Sequence, residues 1–336
     1  MSIRLVAALA ALIAGSAVAD TPAPVIDMHL HALAFDAQGP PPLGVCTPFS
    51  AMPRWDQHQP YADRWFSGYK NPPCDDPVWS PMSDEELLQR SLADMQAHNV
   101  YGVLGGSQDR LDAWIVAAPE RFIRGHDFSI TPDTPSPDEL AALHEDGRLE
   151  VLAEITTQYQ GIEPAGEELA PYWAVLEEHD IPAGIHVGPG PPGVIYFGAS
   201  GYRARMHSAL TLEEVLARHP KLRIYIMHAG FPMLDDLLAL LYAHPQVYVE
   251  VGVIVWTQPN AAFYRYLQGI VDAGFGDRVM FGSDQMVWPE TIGRSIDIIN
   301  GAPFLSEEQK RDILFNNAAR FLRLSDEEVA RMHAGE

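Results

Sequence analysis

Apolar residues gather along the chain in short runs of seven to ten, separated by longer stretches in which they return every three or four positions. The short runs are "VIDMHLHA" (25–32), "VYGVLGG" (100–106), "RFIRGHDFSI" (121–130), "LEVLAEIT" (149–156), "IPAGIHVG" (181–188), "LRIYIMHAG" (222–230), "VYVEVGVIV" (247–255) and "RVMFGSDQ" (278–285). These eight read as strands. Between them lie helical patterns with recognisable ends. "SDEELLQRSLADMQAHN" opens with Ser83 and Glu86, the spacing of a capping box. "SPDELAALHEDG" and "TLEEVLARHP" start at Ser136 and Thr211 and stop at Gly147 and Pro220. "PMLDDLLALLYAHP" and "PNAAFYRYLQGIVDAG" continue the series. Strands separated by helices of this length imply right-handed βαβ units and a parallel sheet. Eight such units over roughly 250 residues predict a (β/α)8 TIM barrel.

An open doubly wound sheet is the rival. No Gly-rich dinucleotide fingerprint follows any strand, however, and the prolines of "GPGPPG" (188–193) remove backbone donors that a phosphate cradle needs. Residues 36–82, dense in proline and aromatics, read as a long irregular insertion or lid after the first strand. The tail "SEEQKRDILFNNAARFLRLSDEEVARMH" reads as two short amphipathic helices covering the barrel's side or bottom.

Polar residues interrupt the apolar runs at particular places. In "VIDMHLH" strict alternation would set Asp27, His29 and His31 on one face, and Ile26, Met28 and Leu30 on the other. His29 and His31 end the first strand and Glu154 sits near the end of the fourth. His186 ends the fifth, His228 the sixth and Asp284 the eighth. In a barrel, the C-terminal ends of the strands converge on the active site. These runs are too apolar to tolerate solitary ionisable groups. Neutral imidazoles with a carboxylate suit zinc and related divalent ions, with Asp27 one step deeper as an orienting partner. His144, His179, His219 and His244 lie in or at the ends of helices and read as structural. His126 follows the third strand, and His58 and His207 fall in loops.

Composition narrows the class. The chain has 336 residues, 47% of them hydrophobic, and a formal charge of −23 from 22 Lys+Arg against 45 Asp+Glu. A surface this acidic repels phosphate backbones and anionic lipid, so no nucleic-acid or membrane partner is expected, only a small-molecule substrate. "MSIR", the apolar run "LVAALAALIAGSAVA" and Ala17-Val18-Ala19 before Asp20 have the three parts of a secretory signal peptide, leaving one domain over 20–336. A periplasmic or secreted protein follows. Cys46 and Cys74 then read as one disulfide stapling the insertion, with two separate thiols as the alternative. Assembly into homo-oligomers is left open.

Taken in order, "DMHLH", "GIHVG", "IMHAG" and "FGSDQ" resemble the amidohydrolase superfamily. The likeness is strongest to its amidohydrolase-related (amidohydrolase 2) branch of metal-dependent barrel hydrolases and decarboxylases, over about residues 24–323. The resemblance implies that His29, His31 and His186 bind a divalent metal, zinc or else manganese. Asp284 would be a ligand, the general base, or both. His228 would hold a second metal or polarise the substrate. The carboxylated lysine of binuclear relatives has no counterpart at the fourth strand. Glu154 stands there instead, as a bridging ligand of two metals or as a wall of a one-metal site, the latter being favoured. The loop after His186 carries Tyr202, Arg203 and Arg205, and its two guanidiniums suggest an anionic substrate, though pairing with nearby carboxylates is equally expected. Trp288, with Gln158, Tyr159 and Trp256, is a candidate pocket wall. The expected activity is cleavage of an ester, lactone or amide by an exported hydrolase. A non-oxidative decarboxylase of an aromatic or dienoic acid and a non-catalytic binding barrel are the alternatives.

Overall fold

The computed structural model describes residues 22–335; the expected signal peptide lies outside the described residues. Its barrel strands are β1 (Val25–His31), β2 (Val100–Gly105), β3 (Phe122–Arg124), β4 (Leu152–Ile155), β5 (Ala183–His186), β6 (Ile224–Met227), β7 (Tyr248–Glu250) and β8 (Val279–Met280). Regular ladders pair β1, β2 and β3 in parallel, and likewise β4 through β8. Two seams join these groups. Parallel bridges link Gly125 to Val151 and Phe128 to Ile155. On the opposite side the Met28 amide donates to the Phe281 carbonyl at 2.9 Å, and the Asp284 amide to the His29 carbonyl at 2.8 Å. The fold is a (β/α)8 TIM barrel, with helices packed outside.

The third and eighth strands are shorter than the apolar runs suggest, because beyond them the backbone turns to form the mouth. Helix starts follow the caps with local differences. Ser136 and Glu139 make a full capping box for Pro137–Glu145. Ser83 accepts from the Glu86 amide, but the Glu86 carboxylate takes the Met82 amide instead of closing the box. Thr211 falls within a 3-10 turn (Ala209–Leu212), and the α-helix begins at Glu213.

The insertion is more ordered than its composition suggests. It contains a helix (Tyr61–Lys70) and a two-stranded antiparallel ribbon (Gly44–Val45 with Val78–Trp79). A Cys46–Cys74 disulfide ties the ribbon's first strand to the segment after that helix.

A buried cluster fills the lower barrel with alternate residues of successive strands: Ile26, Met28, Tyr101, Val103, Val151, Ala153, Tyr225, Met227 and Met280. At β5 the inward position is Gly184. A Cβ there would lie 2.4 Å from the Tyr225 ring, so the glycine gives that ring its space. Phe315, Phe321 and Met332 of the C-terminal helices close the same cluster, so the tail plugs the bottom of the barrel.

The face assignment drawn from strict alternation in β1 is wrong. Asp27 pairs with Gly102 and Leu30 with Leu104, so β1 carries one residue more than β2 over this interval. The offset is a β-bulge. Below it Ile26 and Met28 point inward; above it His29 and His31 do, while Leu30 joins the outer core. β4 has the same device. Leu152 pairs with Ala183 and Ile155 with Ile185, which turns Glu154 inward above Val151 and Ala153.

Candidate metal centre

Above the plug, six side chains from five strands converge on a cavity of about 420 Å³. Each arrives by a definite route. His29 and His31 follow the β1 bulge, and Glu154 the β4 bulge. His186 is the regular inward residue after Gly184. His228, just past β6, takes a left-handed conformation (φ 61°), as does Asp284 beyond β8 (φ 51°). Non-glycine residues at positive φ are uncommon and gather at functional sites. Here Ala229, Val253 and Met286 join the other two around the mouth.

The Nε2 atoms of His29 and His31 face each other at 3.0 Å. Glu154 stands between two pairs of imidazoles. Its Oε2 is 3.7 and 3.8 Å from Nε2 of His29 and His31, and its Oε1 is 3.4 and 4.0 Å from Nε2 of His228 and His186. Asp284 Oδ1 is 3.2 Å from His31 Nε2 and 3.8 Å from His29 Nε2. All six residues are buried.

Outer partners fix which ring nitrogen faces the centre. His29 Nδ1 lies 3.2 Å from Glu250 Oε1, His228 Nδ1 lies 2.8 Å from the Gly252 carbonyl, and His186 Nδ1 lies 3.1 Å from Gln158 Oε1. A carboxylate and a carbonyl can only accept. Gln158 Oε1 also accepts the Gly188 amide at 3.2 Å, which fixes it as oxygen. All three rings therefore keep a proton on Nδ1 and turn Nε2 to the centre, the tautomer that binds a metal once Nε2 gives up any proton it holds. Asp27 holds β1 from outside, its Oδ1 accepting from the His29 and Ser283 amides at 2.9 Å each.

The electrostatics describe a centre that collects positive charge. Burial disfavours a proton on His29, but Asp284, Glu250 and Glu154 outweigh it and hold the imidazole well above its ordinary range. His31 is likewise raised to about 10, burial being overcome by Asp127 and Asp284. His186 drops to about 3 through burial and its neighbour His228. Burial opposes the charge on Glu154 and Asp284 too, yet His29 and the other rings keep both below the usual carboxylate range. Burial pushes Asp27, on the outer face, up to about 7. Glu154 Oε1 and His31 Nδ1 are buried without hydrogen-bond partners. Three residue triads bring ligand atoms within 4.8 Å of one another: His29–His31–Glu154, Glu154–His186–His228 and His29–His228–Asp284. This donor set fits a divalent cation, and Glu154, shared by two of the triads, gives it room for one ion or two.

Other residues named from sequence fall elsewhere. Arg203 donates to the carbonyls of Ser200 and Tyr202, and Arg205 faces Glu163 at 3.5 Å with its side chain 69% exposed; neither lines the cavity. Tyr202 bonds His207 and Gly188 and braces the loop. Trp288, Trp256 and Tyr159 do line the cavity, Tyr159 with its hydroxyl 3.0 Å from His186 Nε2. Gln158 is not a wall; it orients His186. His126 turns to the Gly106 carbonyl (3.3 Å), and its neighbour Asp127 approaches His31 instead, at 3.7 Å. The sequence reading missed Asp127 and Glu250. Glu250 had a signal, since it is a lone acid in "VYVEVGV", the same oddity that marked Glu154.

A parallel barrel with imidazoles and carboxylates at its strand ends defines a metal-dependent TIM-barrel enzyme class. A sequence model described as amidohydrolase matches residues 26–324, and the chain belongs to that family. No curated protein sequence matches it. Among solved structures it is similar to an uncharacterized TIM-barrel protein from Bordetella bronchiseptica, with TM-score 0.60, 17% identity, 92% of this chain and 100% of that one covered. A probable 2-pyrone-4,6-dicarboxylic acid hydrolase from Acinetobacter baumannii, with citric acid bound, gives TM-score 0.55 at 14% identity over 89% of this chain and 99% of that one. A 5-carboxyvanillate decarboxylase from Novosphingobium aromaticivorans, complexed with manganese, gives 0.53 at 18% identity over 77% and 86%. At these identities the likeness concerns the fold.

Proposed function

We propose that the chain is an exported metal-dependent hydrolase that adds water across the carbonyl of a neutral, largely apolar ester, lactone or amide. The observation that carries this reading is Asp284. It is a buried carboxylate kept ionised by His29 and His31, at the floor of a cavity walled by Phe49, Trp65, Tyr69, Phe128, Trp256 and Trp288. Hydrolysis needs a proton acceptor at the point of attack. Asp284 Oδ1 can take the proton of the attacking water and return it to the leaving oxygen or nitrogen.

His29, His31, Glu154, His186, His228 and Asp284 are the residues that would hold the cation, with zinc the best match to so imidazole-rich a set and manganese the alternative. When bound, the cation supplies Lewis-acid polarisation of a carbonyl oxygen and acidifies water. A neutral substrate is supported by the walls, which outside the imidazoles and the cation they would hold offer no countercharge for an anion: no Lys or Arg is among the described residues lining the cavity, while Asp127, Glu154 and Asp284 are. The anionic substrate suggested by Arg203 and Arg205 loses its support. The basic–apolar start of the chain and the Cys46–Cys74 bridge support export.

The second reading is a non-oxidative decarboxylase, favoured by the aromatic walls and by the decarboxylases among the similar structures. It would require Asp284 to deliver a proton to carbon. The metal-reconstituted protein, assayed on neutral aryl esters, lactones and amides beside hydroxybenzoates with gas release followed, separates the two. Ester or lactone cleavage is expected. Carbon dioxide release without hydrolysis would replace this reading with the second, and binding without turnover of either panel would favour a non-catalytic barrel. Asp284→Asn is expected to lower kcat about 10²–10⁴-fold while metal content stays above half an equivalent; an unchanged rate would remove Asp284 as the base.

A further inference from the structure

A second cavity, of about 610 Å³, lies within the insertion and has no part in the centre described above. Its walls come entirely from residues 44–73: the ribbon's first strand, the helix Tyr61–Lys70 and the turns that the disulfide ties together. It shares Phe49, Met52, Trp65 and Tyr69 with the catalytic cavity, so these four side chains are the partition between the two chambers.

The partition has fixed and movable parts. Trp65 stacks on Phe197 at 5.7 Å, and Tyr69 on Trp288 at 5.3 Å, so both rings are held from behind. Met52 is 42% exposed, and its unbranched thioether adapts readily. The polar residues of the second chamber, Ser50, Arg64, Ser67 and Asn71, lie exposed at its edge. Arg64 Nε donates to the Arg54 carbonyl at 3.2 Å and Ser67 Oγ to the Arg64 carbonyl at 2.8 Å. Inside that edge the walls are Val45, Met52, Pro53, Pro72 and Pro73 with the aromatic partition.

The geometry points to a two-chamber substrate site: the reacting carbonyl sits over the imidazole–carboxylate cluster, and an uncharged alkyl or aryl tail extends past Met52 into the chamber formed by the insertion. The inference rests on the proposed hydrolysis only in taking the first chamber as the place of the reacting bond. Continuity through the four shared walls identifies the occupant as part of the substrate. The predominance of apolar side chains on its walls, with the polar ones at the exposed edge, identifies it as apolar. Each methylene transferred from water into such a chamber is worth about a fourfold gain in affinity.

Gly68 offers a clean way to fill the chamber. It lines it from within the helix, and a Cβ built there meets nothing nearer than Arg64 Nη1 at 4.0 Å. Gly68→Leu therefore occupies the chamber without touching the metal centre, and Gly68→Ala serves as the helix control. Alkyl phenyl ketones from acetophenone to octanophenone, which cannot be hydrolysed, are titrated calorimetrically into the metal-loaded full chain and both variants. Affinity is expected to climb with tail length in the parent and in Gly68→Ala. In Gly68→Leu, octanophenone should lose tenfold or more and acetophenone stay within twofold. Affinity independent of tail length, a climb that survives Gly68→Leu, or no binding by any ketone would overturn the inference. The matching ester series, assayed alongside, separates the two claims. Ketone gains without ester turnover leave the chamber assigned and refute hydrolysis. Ester turnover indifferent to tail and variant refutes the chamber alone.

Discussion

Replacing Glu250 by glutamine tests whether the centre is built from outside its ligands. Glu250 is fully buried. Its Oε1 accepts from His29 Nδ1 at 3.2 Å and from the His228 amide at 2.8 Å, and its Oε2 from the Gly252 amide. Gly252 and Gly282 leave space for it, since a Cβ on either would lie 2.6 or 2.0 Å from Oε2. Glutamine has the same shape but only one acceptor oxygen. With that oxygen toward His29, its NH2 abuts the Gly252 N–H; turned around, the NH2 abuts the His228 amide and the Nδ1 proton of His29. Either way buried donors face donors, at a cost of about 1–3 kcal/mol. The His29 ring also loses the anion that fixes its tautomer. Loss of such an outer partner weakens metal binding about 10–100-fold. Competition against a chromophoric chelator measures this directly, and thermal melting of the metal-free protein separates loss of affinity from loss of fold. Metal affinity within twofold of the parent, with Tm unchanged, would refute the role given to Glu250.

Protons and metal should compete for the centre. His31 is raised to about 10 in the folded chain from an ordinary 6.5, so its contribution to metal-free stability is complete below pH 6.5 and lost as pH rises toward 10. His186, lowered to about 3, acts in the opposite window, weakening the fold as pH falls from 6.5 toward 3. The melting temperature of chelated protein should thus fall on both sides of neutrality, while metal affinity increases with pH; a flat profile above pH 7 would count against the proton-loaded cluster. Arg203→Ala and Arg205→Ala should leave KM within twofold, because neither side chain reaches the cavity; a tenfold rise for either would place it at the substrate. Replacing both Cys46 and Cys74 by serine opens a loop with a sequence separation of 28 and should cost roughly 3–4 kcal/mol by chain entropy, read by denaturant melting, unless the insertion unfolds apart from the barrel.

The strand–helix alternation made the barrel legible, because burial on both faces of a parallel sheet writes itself as apolar runs. The same contrast exposed His29, His31, Glu154, His186, His228 and Asp284, each an ionisable residue in an otherwise apolar stretch. Glu250 obeyed that rule and was overlooked because it ends a strand one step below the mouth. Other features left no trace in residue order. A bulge is a matter of register between two strands, so the faces of β1 could not be read from β1 alone. The destinations of Arg203 and Arg205 depend on how a long loop folds back on itself. The insertion's order rests on a disulfide and on ring stacking across the chain, as between Trp65 and Phe197.

The one-residue offsets in β1 and β4 set a rule for anyone grafting such a centre into another barrel. A strand that alternates faithfully gives every second side chain to the interior, so sealing the lower half with apolar residues dictates the parity of the upper half. Here Ile26 and Met28 set one parity, and His29 and His31 need the other; Val151 and Ala153 stand in the same relation to Glu154. The additional residue resets the count between the sealed half and the reactive half, letting each be composed independently. Copying the ligands into an evenly pleated barrel would send three of the six out among the surrounding helices. The backbone interruption has to be transplanted with them.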